Sequence, residues 1–277
     1  MKRTETRALF VGNVQIGGQN KCVLQSMTNV PAKDVERSVA QINELAANGC
    51  ELVRTAVLDE EDARAIPAIK ARINIPLIAD IHFNYLLALI CLDGGIDAIR
   101  INPGNIGSRK NTEAVVAKCK EKNVPIRIGI NAGSLERELL EKYGGPCAEA
   151  LVESAQRHVD ILESMDFYDI CLSFKSSNVE LTIDAYELAA KTFKYPLHLG
   201  VTEAGGFADS AVKSSAALGV LLHEGIGDTI RISVSGPPKD ELIIGKALLR
   251  SFRLIEDVPD LVACPTCGRI QYDMIPL

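Results

Sequence analysis

Short apolar runs rich in Val, Ile and Leu alternate along the chain with longer segments in which apolar residues recur every three to four positions. Runs of the first kind predict buried β-strands, and the longer spacing predicts amphipathic helices. Ahead of them, RALFVGNVQIGG carries turn signals at Gly12-Asn13 and Gly17-Gly18 and predicts a hairpin. The eight predicted strands after the hairpin begin at Val23, Leu52, Pro76, Ala98, Ile126, Asp169, Leu197 and Thr229.

The segments between these strands have the pattern of helices that cover a sheet. In AKDVERSVAQINELAANG, Gly49 supplies a stop signal and four apolar residues share one face: Val35, Val39, Ile42 and Leu45. A further helix is predicted to begin after Ser108. Eight strands alternating with eight helices predict a parallel sheet. The count of eight favours a closed (β/α)8 TIM barrel, spanning with the hairpin residues 1–255, over an open doubly wound sheet.

Positive charge is concentrated at the carboxyl ends of the predicted strands. The functional sites of such barrels are built at these ends, so we expect the side chains to face one cavity. The whole chain has a net charge of −6, and cations gathered in an acidic protein indicate a compact polyanion, such as a phosphate or diphosphate ester. The five cations are Arg54, Arg100, Arg127, Lys175 and Arg231.

Few carboxylates are predicted to balance these cations. Asp80 and Glu203 are the two expected to face inward, and a surplus of buried cations would cost several kcal/mol per ion without an external anion. His82 lies among polar neighbours and is assigned to the same site. Asn131 and Ser233 also follow strands. The remaining histidines are expected to be structural: His158, His198 and His223.

Composition and charge exclude some classes of function. The pI near 5.4 and the absence of a basic patch argue against nucleic-acid or membrane-surface binding. No apolar stretch approaches the roughly 20 residues of a spanning helix, and the first ten residues lack the apolar core of a secretory signal. We therefore expect a cytoplasmic protein.

The eight cysteines fall into two groups. Six are scattered and are expected to be small buried hydrophobic residues. Cys264 and Cys267, in CPTCGR, form a knuckle that offers two thiolates to a metal. Structural zinc and iron–sulfur clusters need four ligands, and a thioredoxin-like pair would need a βαβ context. Residues 256–277 are therefore interpreted as a linker and the truncated start of a second domain, whose other ligands are missing or come from another chain.

Several strings, in order along nearly the whole chain, carry a resemblance to a known family. They are VGNVQIGG, QSMTN, ADIHFN, IRINPGNIG, PIRIGINAGSLE, GVTEAGG, LLHEGIGDTIRIS and ACPTCGR. In them the chain resembles the bacterial form of 4-hydroxy-3-methylbut-2-enyl diphosphate synthase, the GcpE/IspG family.

The resemblance implies reductive ring opening of 2-C-methyl-D-erythritol 2,4-cyclodiphosphate, with electrons from flavodoxin or ferredoxin. It also implies a homodimer and a [4Fe–4S] cluster held by three cysteines and a glutamate of a small C-terminal domain. Cys264 and Cys267 match two of these ligands, and the others are absent from this sequence. We therefore expect this chain alone to bind substrate without turning it over.

The resemblance also assigns individual residues. Ser210 and Leu86 depart from the family pattern and are expected to be surface or loop variation. The implied catalytic residues are Glu203, Asp80 and His82, and the implied substrate-binding residues are Arg54, Arg100, Arg127, Asn131, Lys175, Arg231 and Ser233.

Two other functions are considered. One is a non-catalytic diphosphate-binding barrel subunit, completed in trans by a cluster-bearing chain. The other is a cluster-free barrel enzyme similar to dihydropteroate synthase, which would leave the terminal CPTCG string unexplained.

Overall fold

The structure, a computed structural model, describes residues 3–102, 104–255 and 267–271. Most of the predicted second-domain segment 256–277, including Cys264, lies outside the described residues. The strands are β1 (Leu9–Val11), β2 (Val14–Ile16), β3 (Val23–Met27), β4 (Leu52–Val57), β5 (Leu77–Ile81), β6 (Ala98–Ile101), β7 (Ile126–Asn131), β8 (Ile170–Lys175), β9 (His198–Leu199) and β10 (Thr229–Ile230). The α-helices are α1 (Val35–Ala47), α2 (Glu60–Lys70), α3 (Tyr85–Asp93), α4 (Arg109–Lys122), α5 (Arg137–Tyr143), α6 (Ala148–Glu163), α7 (Val179–Thr192), α8 (Phe207–His223) and α9 (Pro238–Ser251).

Strands β3 to β10 form one parallel sheet that closes on itself. Its order is β8-β7-β6-β5-β4-β3-β10-β9, and a parallel bridge between Leu172 and Leu197 joins the two ends. The helices of the β/α units cover its outer surface. The prediction of a (β/α)8 barrel with an N-terminal hairpin is therefore confirmed, and all eight predicted strands are present.

The strands separate two kinds of residue by their alternating faces. Outward-facing residues such as Val53, Leu77 and Ile128 pack with the helices in the main hydrophobic core. Successive side chains of a strand point to opposite faces, so Arg54, on the same strand as Val53, points into the barrel. The barrel interior, usually filled by layers of branched apolar residues, is therefore polar in its upper part here.

The hairpin seals the other end of the barrel. β1 and β2 pair as Val11 with Val14 around the predicted Gly12-Asn13 turn, where Gly12 adopts a positive φ of 57°. Apolar side chains of the hairpin join the inward residues of the barrel floor in a second cluster. That cluster contains Leu9, Val11, Ile16, Val23, Leu52, Ile78, Ala98 and Cys171.

The helices begin and end largely as their sequences indicate. Asp34 caps α1 by accepting the backbone N–H of Arg37. Helix α4 begins directly after Ser108, as predicted. The connection from β7 to β8 differs, because it contains the short helix α5 in addition to α6. Gly144, with a φ of 74°, takes the left-handed conformation that ends α5.

Among the described residues, no helix has both the length and the apolar character needed to cross a membrane.

Candidate functional site

The strand register gathers the predicted cations inside the barrel, at more than one depth. Arg100 of β6 pairs with Asp80 of β5 on one side and with Arg127 of β7 on the other. On the next strand pair, Asn131 is the neighbour of Lys175. Period-two alternation turns all five side chains toward the barrel axis. The sequence prediction that strand ends gather these residues is thus consistent with the register.

Asp80 is the carboxylate at the centre of this group. Its side chain is 3% exposed, with Oδ1 3.1 Å from Nη1 of Arg100 and Oδ2 3.5 Å from Nε of Arg54. Nε2 of His82 lies 3.6 Å from Oδ1. Although burial alone would raise the pKa of Asp80, the charge of Arg54, the neighbouring His82 and the charge of Arg100 hold it well below its usual value. Asp80 is therefore a fixed negative charge.

Arg100 is held in place by the backbone beside it. It is 1% exposed and donates from Nη2 to Oδ1 of Asn131 at 3.3 Å. A Cβ atom added at Gly129 would lie 2.4 Å from Nε and from Nη2 of Arg100. Only glycine at position 129 leaves room for this guanidinium.

Arg127 lies deeper than the other cations. It donates from Nη1 to Oε1 of Gln25 at 2.7 Å, and both residues line an inner cavity above the hairpin, together with Leu9, Ile16 and Cys171. Nε and Nη2 of Arg127 and Nε2 of Gln25 have no hydrogen-bond partner among the described residues. Burial lowers the pKa of Arg127 to about 10. Sequence reasoning missed Gln25, which is an inward position on β3.

A second, outer cavity opens above these residues. It is lined by Arg54, Lys175, His198, Thr202, Arg231 and Ser233, among others. Burial, followed by the charges of Arg54 and Arg100, holds the pKa of Lys175 well below its usual value. Burial, partly offset by Asp80, lowers the pKa of Arg54 to about 9. This concentration of cations favours an anion over a neutral ligand.

His198 also contributes to the outer cavity, although the sequence suggested a purely structural role. Its Nδ1 is hydrogen-bonded to Oγ1 of Thr229. Burial and the charges of Arg127 and Arg54 hold the pKa of His198 well below its usual value. The imidazole is thus a neutral wall of the cavity rather than another cation.

Arg231 has a carboxylate partner that the sequence did not reveal. Glu241, in the first turn of α9, lies 2.5 Å from Nη2 and 3.2 Å from Nε of Arg231. The prediction of two inward carboxylates at strand ends therefore missed Glu241, because this residue comes from a helix. Its sequence signal is a glutamate on the buried face of α9, alongside Leu242, Gly245 and Leu248.

Glu203 lies on the loop after β9 and differs from the buried carboxylates. It is exposed and has a positive φ of 52°. Backbone in this region is uncommon for a residue with a side chain and is often found at functional sites. Glu203 is two residues from Val201, which lines the outer cavity. Its catalytic role remains a prediction.

Of the two departures from the family pattern, one was wrongly expected to be surface or loop variation. Ser210 is fully buried in α8. Its hydroxyl donates to the backbone oxygen of Ser233 at 2.8 Å, so it supports the segment after β10 that carries Ser233. Leu86 is 47% exposed, as expected for surface variation.

The scattered cysteines are mostly buried, as predicted. Cys22, Cys50, Cys91, Cys119 and Cys171 are all buried, and burial raises the pKa of Cys22 to about 12. Cys147 is partly exposed, and its sulfur accepts the N–H of Ala150 at the start of α6. The buried thiols, whose protonated form is favoured by burial, are poor metal ligands.

Cys267 has a different environment. It is exposed, and hydrogen bonds from the backbone and side chain of Arg269 lower the pKa of its thiol. A thiolate is the form that binds metal. Within the described residues, however, no group of three or more His, Cys, Asp or Glu side chains could hold a metal ion. Cys267 suits one metal ligand, but the described residues do not by themselves form a cluster site.

Comparison with known proteins decides the family. The model of the GcpE TIM-barrel domain matches residues 6–246. The chain belongs to the GcpE family. It is 56% identical over 275 residues to the 4-hydroxy-3-methylbut-2-en-1-yl diphosphate synthase (flavodoxin) of Clostridium perfringens, covering 99% of this chain and 79% of that protein. The enzyme of the same name from Bacillus licheniformis is also 56% identical, with 99% of this chain and 74% of that protein covered.

Solved structures of other enzymes share the architecture of this GcpE-family barrel. The dihydropteroate synthase of Vibrio fischeri aligns with a TM-score of 0.58 at 15% identity, over 89% of this chain and 98% of that one. The truncated 3-deoxy-D-arabino-heptulosonate 7-phosphate synthase of Thermotoga maritima aligns with a TM-score of 0.61 at 15% identity, over 90% and 91%. At these identities the likeness shows the fold alone.

Proposed function

We propose that this GcpE-family barrel binds 2-C-methyl-D-erythritol 2,4-cyclodiphosphate at the carboxyl ends of its strands, for reductive ring opening to 4-hydroxy-3-methylbut-2-enyl diphosphate. The observation that carries the proposal is the inward cluster of five cations with too few buried carboxylates, in a chain whose 56% identical relatives are synthases of that product. Residues 1–255 would form the substrate-binding domain. Residues 256–277 would form a linker and the cluster-binding segment with Cys264 and Cys267.

Charge balance supports this choice of ligand. Asp80 and Glu241 are buried beside the cations, and Glu203 follows the strand end at the rim. With Glu203 set aside as the proposed proton donor, Asp80 and Glu241 balance two of the five cations, and the lowered pKa of Lys175 shows that further positive charge is unfavourable there without an anion. A cyclic diphosphate carries one ionised oxygen on each phosphorus and supplies two negative charges to this site. Charge-assisted hydrogen bonds in a site shielded from water are strong enough to fix such a ligand.

The cations are also suited to the ring-opening step. The ring diphosphate is a dianion, and adding two electrons and one proton gives the product trianion and one water. The bond from carbon to the diphosphate oxygen breaks, so negative charge grows on that oxygen. Cations fixed in advance, such as Arg54, Lys175 and Arg231 around the outer cavity, stabilise growing charge without reorganising.

The remaining assigned residues would handle the rest of the substrate. Glu203, at the rim, would donate the proton that leaves with oxygen as water. Asp80 and His82 would accept or donate hydrogen bonds to the sugar hydroxyls or phosphate oxygens, while Asn131 and Ser233 complete the polar lining.

Electrons must come from outside this set of side chains, because none of them is a redox group. We propose that Cys264 and Cys267 would supply two thiolates to a [4Fe–4S] cluster, a group that would provide the electrons for the reduction. The relatives' name specifies flavodoxin, and flavodoxin is the proposed donor here. A homodimer, in which one subunit's cysteine-bearing segment faces its partner's barrel, is the proposed assembly.

Calorimetric titration with the cyclodiphosphate tests the proposal. Binding should weaken with added salt, because it depends on charge. Lys175→Met, which removes a cation from the outer cavity, should weaken binding by about tenfold or more. Lys246→Met is the matched control, because Lys246 is exposed on α9 away from the strand ends, and it should bind as wild type does. No detectable binding by the wild-type chain, or equal loss in both variants, would refute the assignment.

A further inference from the structure

Glu241 is a buried carboxylate that belongs to no strand. It is 3% exposed and sits in the first turn of α9, outside the barrel sheet. Its Oε2 accepts the hydroxyl of Ser26 at 2.8 Å and also contacts Nε of Arg231 at 3.2 Å. Its Oε1 accepts Nη2 of Arg231 at 2.5 Å. Ser26 of β3 and Arg231 of the segment after β10 thus hold the carboxylate from two sides.

A stabilising role does not explain this arrangement well. A buried ion pair contributes little net stability, and an apolar pair of similar volume often serves as well or better. Neighbouring positions on the buried face of α9 are apolar, for example Leu242 and Leu248. The partner of Glu241, by contrast, is Arg231, which lines the outer cavity and is 22% exposed in its side chain. The carboxylate therefore acts on a group that reaches the ligand space.

The geometry restricts how Arg231 can meet a ligand. Arginine carries five N–H donors in a planar fork. Glu241 takes one edge of that fork, through Nε and Nη2. The two N–H groups of Nη1 and the second N–H of Nη2 are not taken by Glu241, and they belong to a side chain that lines the outer cavity. The pairing also offsets part of the positive potential of Arg231, so Glu241 sets the direction of the remaining donors.

We propose that Glu241 is a positioning residue: by holding the fork of Arg231, it makes the outer cavity selective for the ring-held diphosphate of the substrate over free inorganic pyrophosphate. The inference rests on the proposed function, since it names the ligand that the fork is aligned to meet. Pyrophosphate can rotate to suit any arrangement of cations. A ring holds its phosphate oxygens in one relative geometry, so it depends on donors placed in advance.

Glu241→Gln separates direction from charge. The amide has nearly the same shape and can still accept from Ser26, but its nitrogen faces the guanidinium and it carries no charge. Calorimetric titration of the variant should show cyclodiphosphate binding about tenfold weaker, the usual scale of a lost charged hydrogen bond. Inorganic pyrophosphate should bind as tightly as in wild type or more tightly, because the site gains net positive charge.

Two further variants test whether the effect runs through Arg231. Arg231→Lys alone should lose the same selectivity, and adding Glu241→Gln to it should cost nothing more, the signature of residues that act as one unit. Glu51→Gln is the matched control, since Glu51 also forms an ion pair, with Lys21 at 2.5 Å, and also accepts a hydrogen bond from β3. It should leave the selectivity unchanged.

The outcomes separate the two proposals. Titration gives stoichiometry apart from affinity, so a partly unfolded variant lowers the number of sites and leaves the ratio of the two dissociation constants intact. A wild-type chain that binds no cyclodiphosphate refutes the proposed function and this inference with it. A wild-type chain that binds it, with a Glu241→Gln variant whose two ligands weaken equally or not at all, overturns the role of Glu241 alone.

Discussion

Replacing Asp80 by Asn measures how much the charge of Asp80 stabilises a barrel that holds buried cations. The carboxylate holds Arg54 and Arg100 at 3.5 Å and 3.1 Å, and each of the three side chains is at most 3% exposed. Asparagine keeps the shape and one carbonyl oxygen but removes the charge. Removing one partner of a buried ion pair costs about 3–5 kcal/mol, because the other ions stay buried without compensation.

That cost is large against the whole stability of the fold. Domains are stable by about 5–15 kcal/mol. For chains of this size the unfolding temperature falls by roughly 2 °C per kcal/mol, so Asp80→Asn should lower it by about 6–10 °C. Inorganic pyrophosphate should restore more of that loss in the variant than it adds to wild type, since ligands that bind only the folded state stabilise it in proportion to their affinity.

Scanning calorimetry with and without pyrophosphate measures both effects. Asp97→Asn is the matched control, because Asp97 pairs with Lys70 and accepts the N–H of Leu77 away from the cations. It should lose stability without any extra response to pyrophosphate. Unfolding of Asp80→Asn at the wild-type temperature, or equal stabilisation of both variants by pyrophosphate, would show that the charge of Asp80 does not compensate the buried cations.

Three other substitutions test the barrel. Lys175→Met should raise the unfolding temperature near neutral pH, because the folded-state pKa of Lys175 lies well below 10.5 and the unfolded chain therefore binds a proton that the folded chain does not. Wild-type stability should rise with pH between the folded and unfolded pKa values of Lys175, and scanning calorimetry from about pH 6 to about pH 9 should show no such rise from this residue in the variant. Gly129→Ala should displace Arg100 and weaken pyrophosphate binding in a titration, whereas full affinity would show that the guanidinium has room to move. Ile42→Ala should cost about 2–5 kcal/mol in urea unfolding without changing pyrophosphate affinity, because it empties part of the core under α1, and a change in affinity would contradict the separation of outer core and site.

Much of the fold could be predicted from the sequence, because most strands carry two separate signals. Each predicted strand is a short apolar run, and five of them carry a cation near the carboxyl end, where a barrel places its site. The apolar residues of β4, such as Val53, face the helices, while Arg54 faces inward. Period-two alternation therefore explains why a run that reads as buried could also hold charge.

The rest of the site depends on contacts that strand patterns do not contain. Glu241 reaches Arg231 from a helix, and Gln25 reaches Arg127 from across the barrel. His198 reads as a residue in the body of a strand, yet its inward position puts it on the cavity wall. Gln25 and Arg127 meet because the sheet closes. Glu241 meets Arg231 because α9 packs back beside the end of β10, so periodicity within one segment cannot reveal either partner.

The polar interior gives the barrel strands two independent sets of requirements. On outward positions such as Leu77 and Ile128, any substitution must preserve volume against the helices. On inward positions such as Arg54 and Lys175, it must preserve charge and reach toward the ligand. Because the two sets interleave along each strand without sharing positions, a designer could exchange the inner set for one that recognises a different anion while leaving every helix contact as it is. The hairpin, which closes the floor with its own apolar side chains, would let such a barrel keep a dry base beneath the new site.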